Sequence, residues 1–131
     1  MSTTDRLYAV RGAVCCENTE TSIGDMVPAL YDQIVKRNGI RESDIVSILF
    51  TMTGDLTAMN PATALRKAGF AESLPLFASA EPYVEGYLPK VVRVLITYYG
   101  TASPAPVYLN GAESLRPDLA GSSGKAGTSG T

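Results

Sequence analysis

The run KVVRVLITYYG, residues 90–100, constrains the fold more than any other part of the chain. Val91, Val92, Val94, Leu95 and Ile96 are apolar and mostly β-branched, which suits a largely buried strand. A strand of that kind needs a sheet around it. Three further runs qualify: 6–16 (RLYAVRGAVCC, broken by Gly12), 43–53 (SDIVSILFTMT) and 74–80 (LPLFASA). A short fifth strand, VYL at 107–109, follows the proline-rich SPAP and ends at the turn pair Asn110–Gly111.

Helical signals separate these strands. Within 18–39, Ile23, Met26, Val27, Leu30, Tyr31, Ile34 and Val35 recur at three- and four-residue steps and form one apolar stripe. Asn18, Thr19 and Ser22 are candidate caps, Gly39 is a stop, and Pro28 is an awkward interior residue that predicts a kink. A second helix is predicted over 60–70, with Asn60 as cap, Pro61 in the first position and Gly69 at the end. The segment 81–89, EPYVEGYLP, reads as an irregular or short helical crossover. Strands alternating with helices, with a hairpin near the end, predict an α/β (α+β) fold. The expectation is a five-stranded mixed sheet with helices on one face. So small a sheet leaves its other face to be covered, and oligomerisation is one way to do that.

With 131 residues, 45% hydrophobic and 18% charged, the chain is expected to form one domain over 1–120. The Gly/Ser/Thr-rich stretch 121–131 is expected to be a mobile tail. A net charge of −2 gives no support to nucleic acid or a membrane surface as partner. No apolar run suggests a secretory signal or a membrane span, and the adjacent Cys15 and Cys16 are badly placed to bridge each other. Reduced thiols and a cytoplasmic location are therefore expected.

There is no histidine, no cysteine cluster and no Gly-rich phosphate loop. Histidine-based nucleophilic sites and histidine-ligated metal sites are excluded. An enzyme built from this chain is expected to need no metal and no base titrating near neutral pH. The residues that stand out are arginines. Arg93 lies among apolar neighbours and must reach water or find an anion, either Glu81 or Glu85 within the chain or a ligand. Arg11 at a strand end is either a surface residue or a carboxylate clamp. Glu81 ends a strand before Pro82, and is either solvated, a hydrogen-bond acceptor for a substrate, or a brace for an arginine. In SLRPDL, 114–119, Arg116 precedes Pro117 and must be extended; it either terminates the chain's ordered part or forms a cationic flap. With Tyr108 these residues describe a site rich in arginine with one carboxylate and no nucleophile, suited to a dianionic small molecule.

The pieces VRGA, NPATALRKAGF, the glutamate after the third strand, VVRVLITY and VYLNGAESLRPDL occur in one order across about residues 6–119. That ordered set resembles the AroH-type monofunctional chorismate mutases. The resemblance implies a homotrimer forming a pseudo-barrel, with active sites at subunit clefts. It also implies conversion of chorismate to prephenate without a cofactor, on the route to phenylalanine and tyrosine. By the same resemblance, Arg93 contacts the substrate's ether oxygen and a carboxylate, and Arg11 and Tyr108 bind a carboxylate. Glu81 accepts from the substrate hydroxyl and orders Arg93. Arg66 and Arg116 attract and cover the dianion, and Leu115 forms a wall. Asn60, Leu76, Phe77 and Ala78 form a facing wall from the adjacent subunit. Three positions depart from the family pattern: Asn60 replaces an aromatic residue, Thr63 a lysine and Ala78 a cysteine, which implies weaker capture and hydroxyl recognition.

Two other functions fit parts of the pattern. One is an imine or enamine deaminase of the RidA-like superfamily, which also uses an interfacial arginine in a trimeric α/β assembly. LRPDL and the carboxylate after the third strand argue against it. The other is a non-catalytic trimer that binds a small metabolite, for which the substitutions at Asn60, Thr63 and Ala78 leave room.

Overall fold

The computed structural model describes residues 5–115. Residues 116–131, with Arg116, the RPDL end and the 121–131 tail, lie outside the described residues. Five strands and two α-helices form the fold: β1 (Arg6–Cys15), α1 (Glu20–Asn38), β2 (Ile45–Met52), α2 (Pro61–Lys67), β3 (Leu76–Ala80), β4 (Val91–Gly100) and β5 (Val107–Leu109). Short 3-10 turns at Glu42–Asp44 and Ala112–Leu115 complete it. The strands make one mixed sheet in the order β3-β2-β4-β1-β5. β4 sits in the middle and runs antiparallel to both β1 and β2, while β5 joins β1 and β3 joins β2 in parallel.

The helices are specified locally. Thr19 caps α1 by accepting from the Ser22 N–H at 3.0 Å, and Gly39 ends it in the left-handed conformation, φ 60°. Ile23, Val27, Leu30, Tyr31 and Ile34 are buried, as the stripe requires, while Met26 and Val35 pack on the margin of the core. The helix runs on through the buried Pro28. Asn60 caps α2 through the Ala62 N–H at 2.8 Å, with Pro61 in its first position.

Five expectations need correction. β1 is not broken at Gly12, which pairs in register with Val94 on one side and Val107 on the other. The glycine is there because a Cβ would stand 2.6 Å from Ile34 Cδ1 and 3.0 Å from the Val107 carbonyl, so it lets α1 lie close on the strand. β5 forms no hairpin with β4; it crosses to the far edge and pairs in parallel with β1. Asn38, at the end of α1, secures that crossover by donating to the Ala105 carbonyl and accepting from its N–H. Residues 42–44 form a 3-10 turn, so β2 starts at Ile45, and β3 starts at Leu76 rather than at residue 74. Asn18 does not cap α1; its side-chain oxygen accepts from the N–H groups of Thr57 and Ala58 and ties the β2–α2 loop to the helix start.

Side chains alternate across the sheet. Val10, Val14, Ile48, Phe50, Val92, Val94 and Ile96 face the helices and form the core with α1 and α2. The alternate positions face away from the helices; Leu7, Arg11, Leu49, Arg93 and Leu95 stay exposed, while Ala13 and Val91 are buried with Ala112 in a second, small cluster. The helices on one face, and the second face left open, agree with the sequence reading. Among the described residues no helix is long and apolar enough to cross a membrane.

Candidate active site

The open face carries two cross-strand rows. Tyr108, Ala13, Arg93, Thr51 and Ser79 lie side by side on β5, β1, β4, β2 and β3. Arg11, Leu95, Leu49 and Phe77 form the neighbouring row. Between β5 and β2 these rows enclose a cavity of about 320 Å³, bordered by Arg11, Ala13, Leu49, Thr51, Arg93, Leu95, Tyr108 and Leu115. That volume is within the usual span for small-molecule sites. Leu115, on the 3-10 turn 112–115, closes the end next to Tyr108. The Asn110–Gly111 turn aims this segment back over the sheet, with φ values of 54° and 101°.

Arg93 is not a buried charge. Its apolar sequence neighbours belong largely to the other face, and its own side chain is 44% exposed. Its Nε donates to Glu81 Oε2 at 2.9 Å, so of the two acidic candidates within the chain it is Glu81, not Glu85, that it meets. Among the described residues the terminal nitrogens of this guanidinium have no other hydrogen-bond partner. They remain available toward the cavity. Glu81 sits directly after β3, held by its own N–H on the Met52 carbonyl at 2.9 Å. Its second oxygen accepts from the Thr51 hydroxyl at 3.1 Å. Arg11, exposed on β1, has no ion pair among the described residues. The cavity lining thus holds two guanidiniums and no carboxylate, an electrostatic match for an anion.

The chain by itself brings together Arg11, Arg93, Tyr108 and Leu115, with Glu81 behind Arg93. It does not bring Asn60, Arg66, Leu76, Phe77 or Ala78 to this cavity. Asn60 is engaged in capping, and Arg66 donates to the Leu74 carbonyl at 2.9 Å. Leu76 and Ala78 turn toward the core, while Phe77 on the same edge strand is 72% exposed. Sequence reasoning missed Thr51, Ala13, Leu49 and Leu95. Their signal is alternation within strands already identified, but which strands pair, and in what register, was needed to use it.

Nearby thiols offer no nucleophile. Burial pushes the Cys16 thiol up to about 11, helped by Cys15 and Glu17. Burial and then Glu113 also raise Cys15. Both cysteines are free and stay protonated near neutral pH.

Residues 7–119 match the family described as chorismate mutase type I. The chain is 37% identical to chorismate mutase AroH of Thermus thermophilus, over 84% of this chain and 93% of that protein. It is 34% identical to chorismate mutase AroH of Bacillus subtilis (strain 168), over 86% of this chain and 92% of that one. A solved chorismate mutase from Clostridium thermocellum superposes with a TM-score of 0.78 at 38% identity, covering 82% of this chain and 99% of its own. By sequence and by fold together, the chain belongs to the type I chorismate mutase family.

Proposed function

We propose that the chain is a chorismate mutase, an isomerase that converts chorismate to prephenate in aromatic amino-acid biosynthesis. Family membership supports the reaction. The observation that carries it to particular residues is the pairing of Arg93 with Glu81 through Nε alone, beside Arg11 and Tyr108 at one cavity.

The reaction is an intramolecular Claisen rearrangement. The ether C–O bond breaks while a C–C bond forms, and no proton passes to or from the protein. What the protein supplies is restraint of the substrate in its compact conformer, and charge placed where the ether oxygen becomes negative. Arg93 fills the second role, because a cation fixed at that oxygen binds the transition state more strongly than the ground state. Arg11 and Tyr108 hold a carboxylate. Glu81 accepts from the substrate hydroxyl and keeps Arg93 oriented. Leu115 is a wall, and Arg66 and Arg116 draw in and cover the dianion.

Asn60, Leu76, Phe77 and Ala78 belong in this reading to the facing wall of a neighbouring copy's site in a homotrimer. The exposed Phe77, and the open face with Leu7, Leu49 and Leu95, support such an assembly. Two free thiols suit a cytoplasmic setting. An imine deaminase and a non-catalytic binding trimer are the outcomes to test against.

The test follows chorismate absorbance with the wild-type chain and with Arg93→Ala. Rapid loss with the first and very slow loss with the second is expected. No turnover by the wild-type chain overturns the mutase reading. Sedimentation at assay concentration is expected to give a trimer; a fully active monomer overturns the shared-site part alone.

A further inference from the structure

We propose that the Thr51 hydroxyl is a positioning group that locks the Glu81 carboxylate against Arg93. The catalytic consequence rests on the mutase reading above; the positioning itself does not.

The argument starts from strand register. Ser79, Thr51 and Arg93 stand opposite one another on β3, β2 and β4. Glu81 is two residues beyond Ser79, just past the sheet edge, and its N–H is bonded to the residue after Thr51. Its carboxylate therefore starts one strand away from Thr51 and two strands away from Arg93. To reach Arg93 Nε at 2.9 Å it must lie across β2, and Thr51 is the side chain that meets it there at 3.1 Å.

A carboxylate held by one bond still turns about its last torsion, which is broad and two-fold. Here each oxygen has its own donor, on a different strand. Thr51 is also β-branched, so its own rotamer is stiff on the strand. The glutamate side chain is only 18% exposed, which makes these bonds count for more than surface pairs. Arg93 is long and partly exposed, and would otherwise sample several rotamers. Thr51 thus orients the arginine at one remove.

Thr51→Val keeps the shape and strand preference but removes the hydroxyl, whereas Thr51→Ser keeps the hydroxyl. The valine variant is expected to lower kcat roughly tenfold, the scale of one hydrogen bond to a charged group, with KM little changed. The serine variant is expected to stay near wild type. In a Glu81→Ala background the valine change should have no further effect; additive losses, or an unchanged kcat in the single variant, overturn the proposal. A readout independent of turnover is the Arg93 Nε–H signal by NMR. Its hydrogen exchange should speed up in Thr51→Val and stay slow in Thr51→Ser. If the wild-type chain leaves chorismate untouched, the mutase reading falls and this exchange rate alone decides. Equal exchange in wild type and Thr51→Val overturns the positioning role.

Discussion

Toward the helices, Val10, Ile48, Phe50 and Ile96 are at most 2% exposed. One residue along the same strands, Arg11, Leu49, Thr51 and Leu95 border an open cavity that Arg93 also lines. The backbone is shared, so the difference lies in what covers each face. α1 and α2 seal one side, and there the strands carry β-branched and aromatic residues at close packing. On the other side the described chain covers only the end at Ala13 and Val91, through Ala112, Leu115, Leu88 and Tyr108, so the rest tolerates long charged side chains without burying them unpaired. The division separates stability from chemistry within single strands.

The strongest way to break this comparison is to cross the faces with two substitutions. Phe50→Ala should remove about 3–5 kcal/mol of stability by leaving a core cavity, read from urea unfolding. Turnover per folded molecule should stay near wild type. Arg93→Ala should do the reverse. Its rate should fall roughly a hundredfold or more, about 3–4 kcal/mol of transition-state stabilisation. Its stability should change by no more than about 1–2 kcal/mol, because the guanidinium is 44% exposed although its Glu81 partner is largely buried. Arg93→Lys should recover only part of the rate, since an ammonium cannot bond Glu81 and the substrate with one rigid fork. A large loss of stability in Arg93→Ala would show that the two faces are not separable.

Gly12 tests the boundary between them. It lies between Arg11 and Ala13, which face the cavity, and its own missing Cβ points at Ile34. Gly12→Ala should cost about 1–3 kcal/mol through overpacking, visible as a lower urea midpoint. No loss would mean that α1 moves away from the strand more easily than its contact distances suggest.

Much of the helical face was legible from the sequence, because its causes are local. The stripe 23–35, the Thr19 and Asn60 caps, the Gly39 stop and the extents of β4 and β5 follow from residues close in the chain. The open face was legible only in its types of residue. Arg93 read as a charge among the apolar neighbours Val92, Val94 and Ile96, yet these point to the opposite side. The Thr51–Glu81–Arg93 chain depends on a register across three strands, and β5 on a crossover to β1, neither of which local pattern encodes. The resemblance to known mutases gave Arg11, Glu81 and Tyr108 their separate roles. It also supplied the α2 and β3 residues, which one chain alone does not bring to the cavity.

The smallest expected effect lies on the sealed face, at its polar seam. The buried Tyr31 packs on Phe70 and donates to Glu42 Oε2 at 2.6 Å; the same oxygen accepts from the Ala71 N–H. Burial, followed by the hydrogen bond and charge of Glu42, holds the phenol well above its ordinary value of 10. Tyr31→Phe keeps the ring and removes the bond, so it should destabilise by about 1–2 kcal/mol at neutral pH. The sign with pH follows from the raised value. Below pH 10 both folded and unfolded phenols are protonated and the contribution is complete. Above it the unfolded chain loses the proton first, which favours unfolding, so wild type loses stability that the variant does not. The gap between wild type and Tyr31→Phe in urea midpoint should therefore narrow as pH rises past 10. A gap that widens instead would mean that the phenol ionises more easily in the folded chain, and that this seam is open to water like the face behind it.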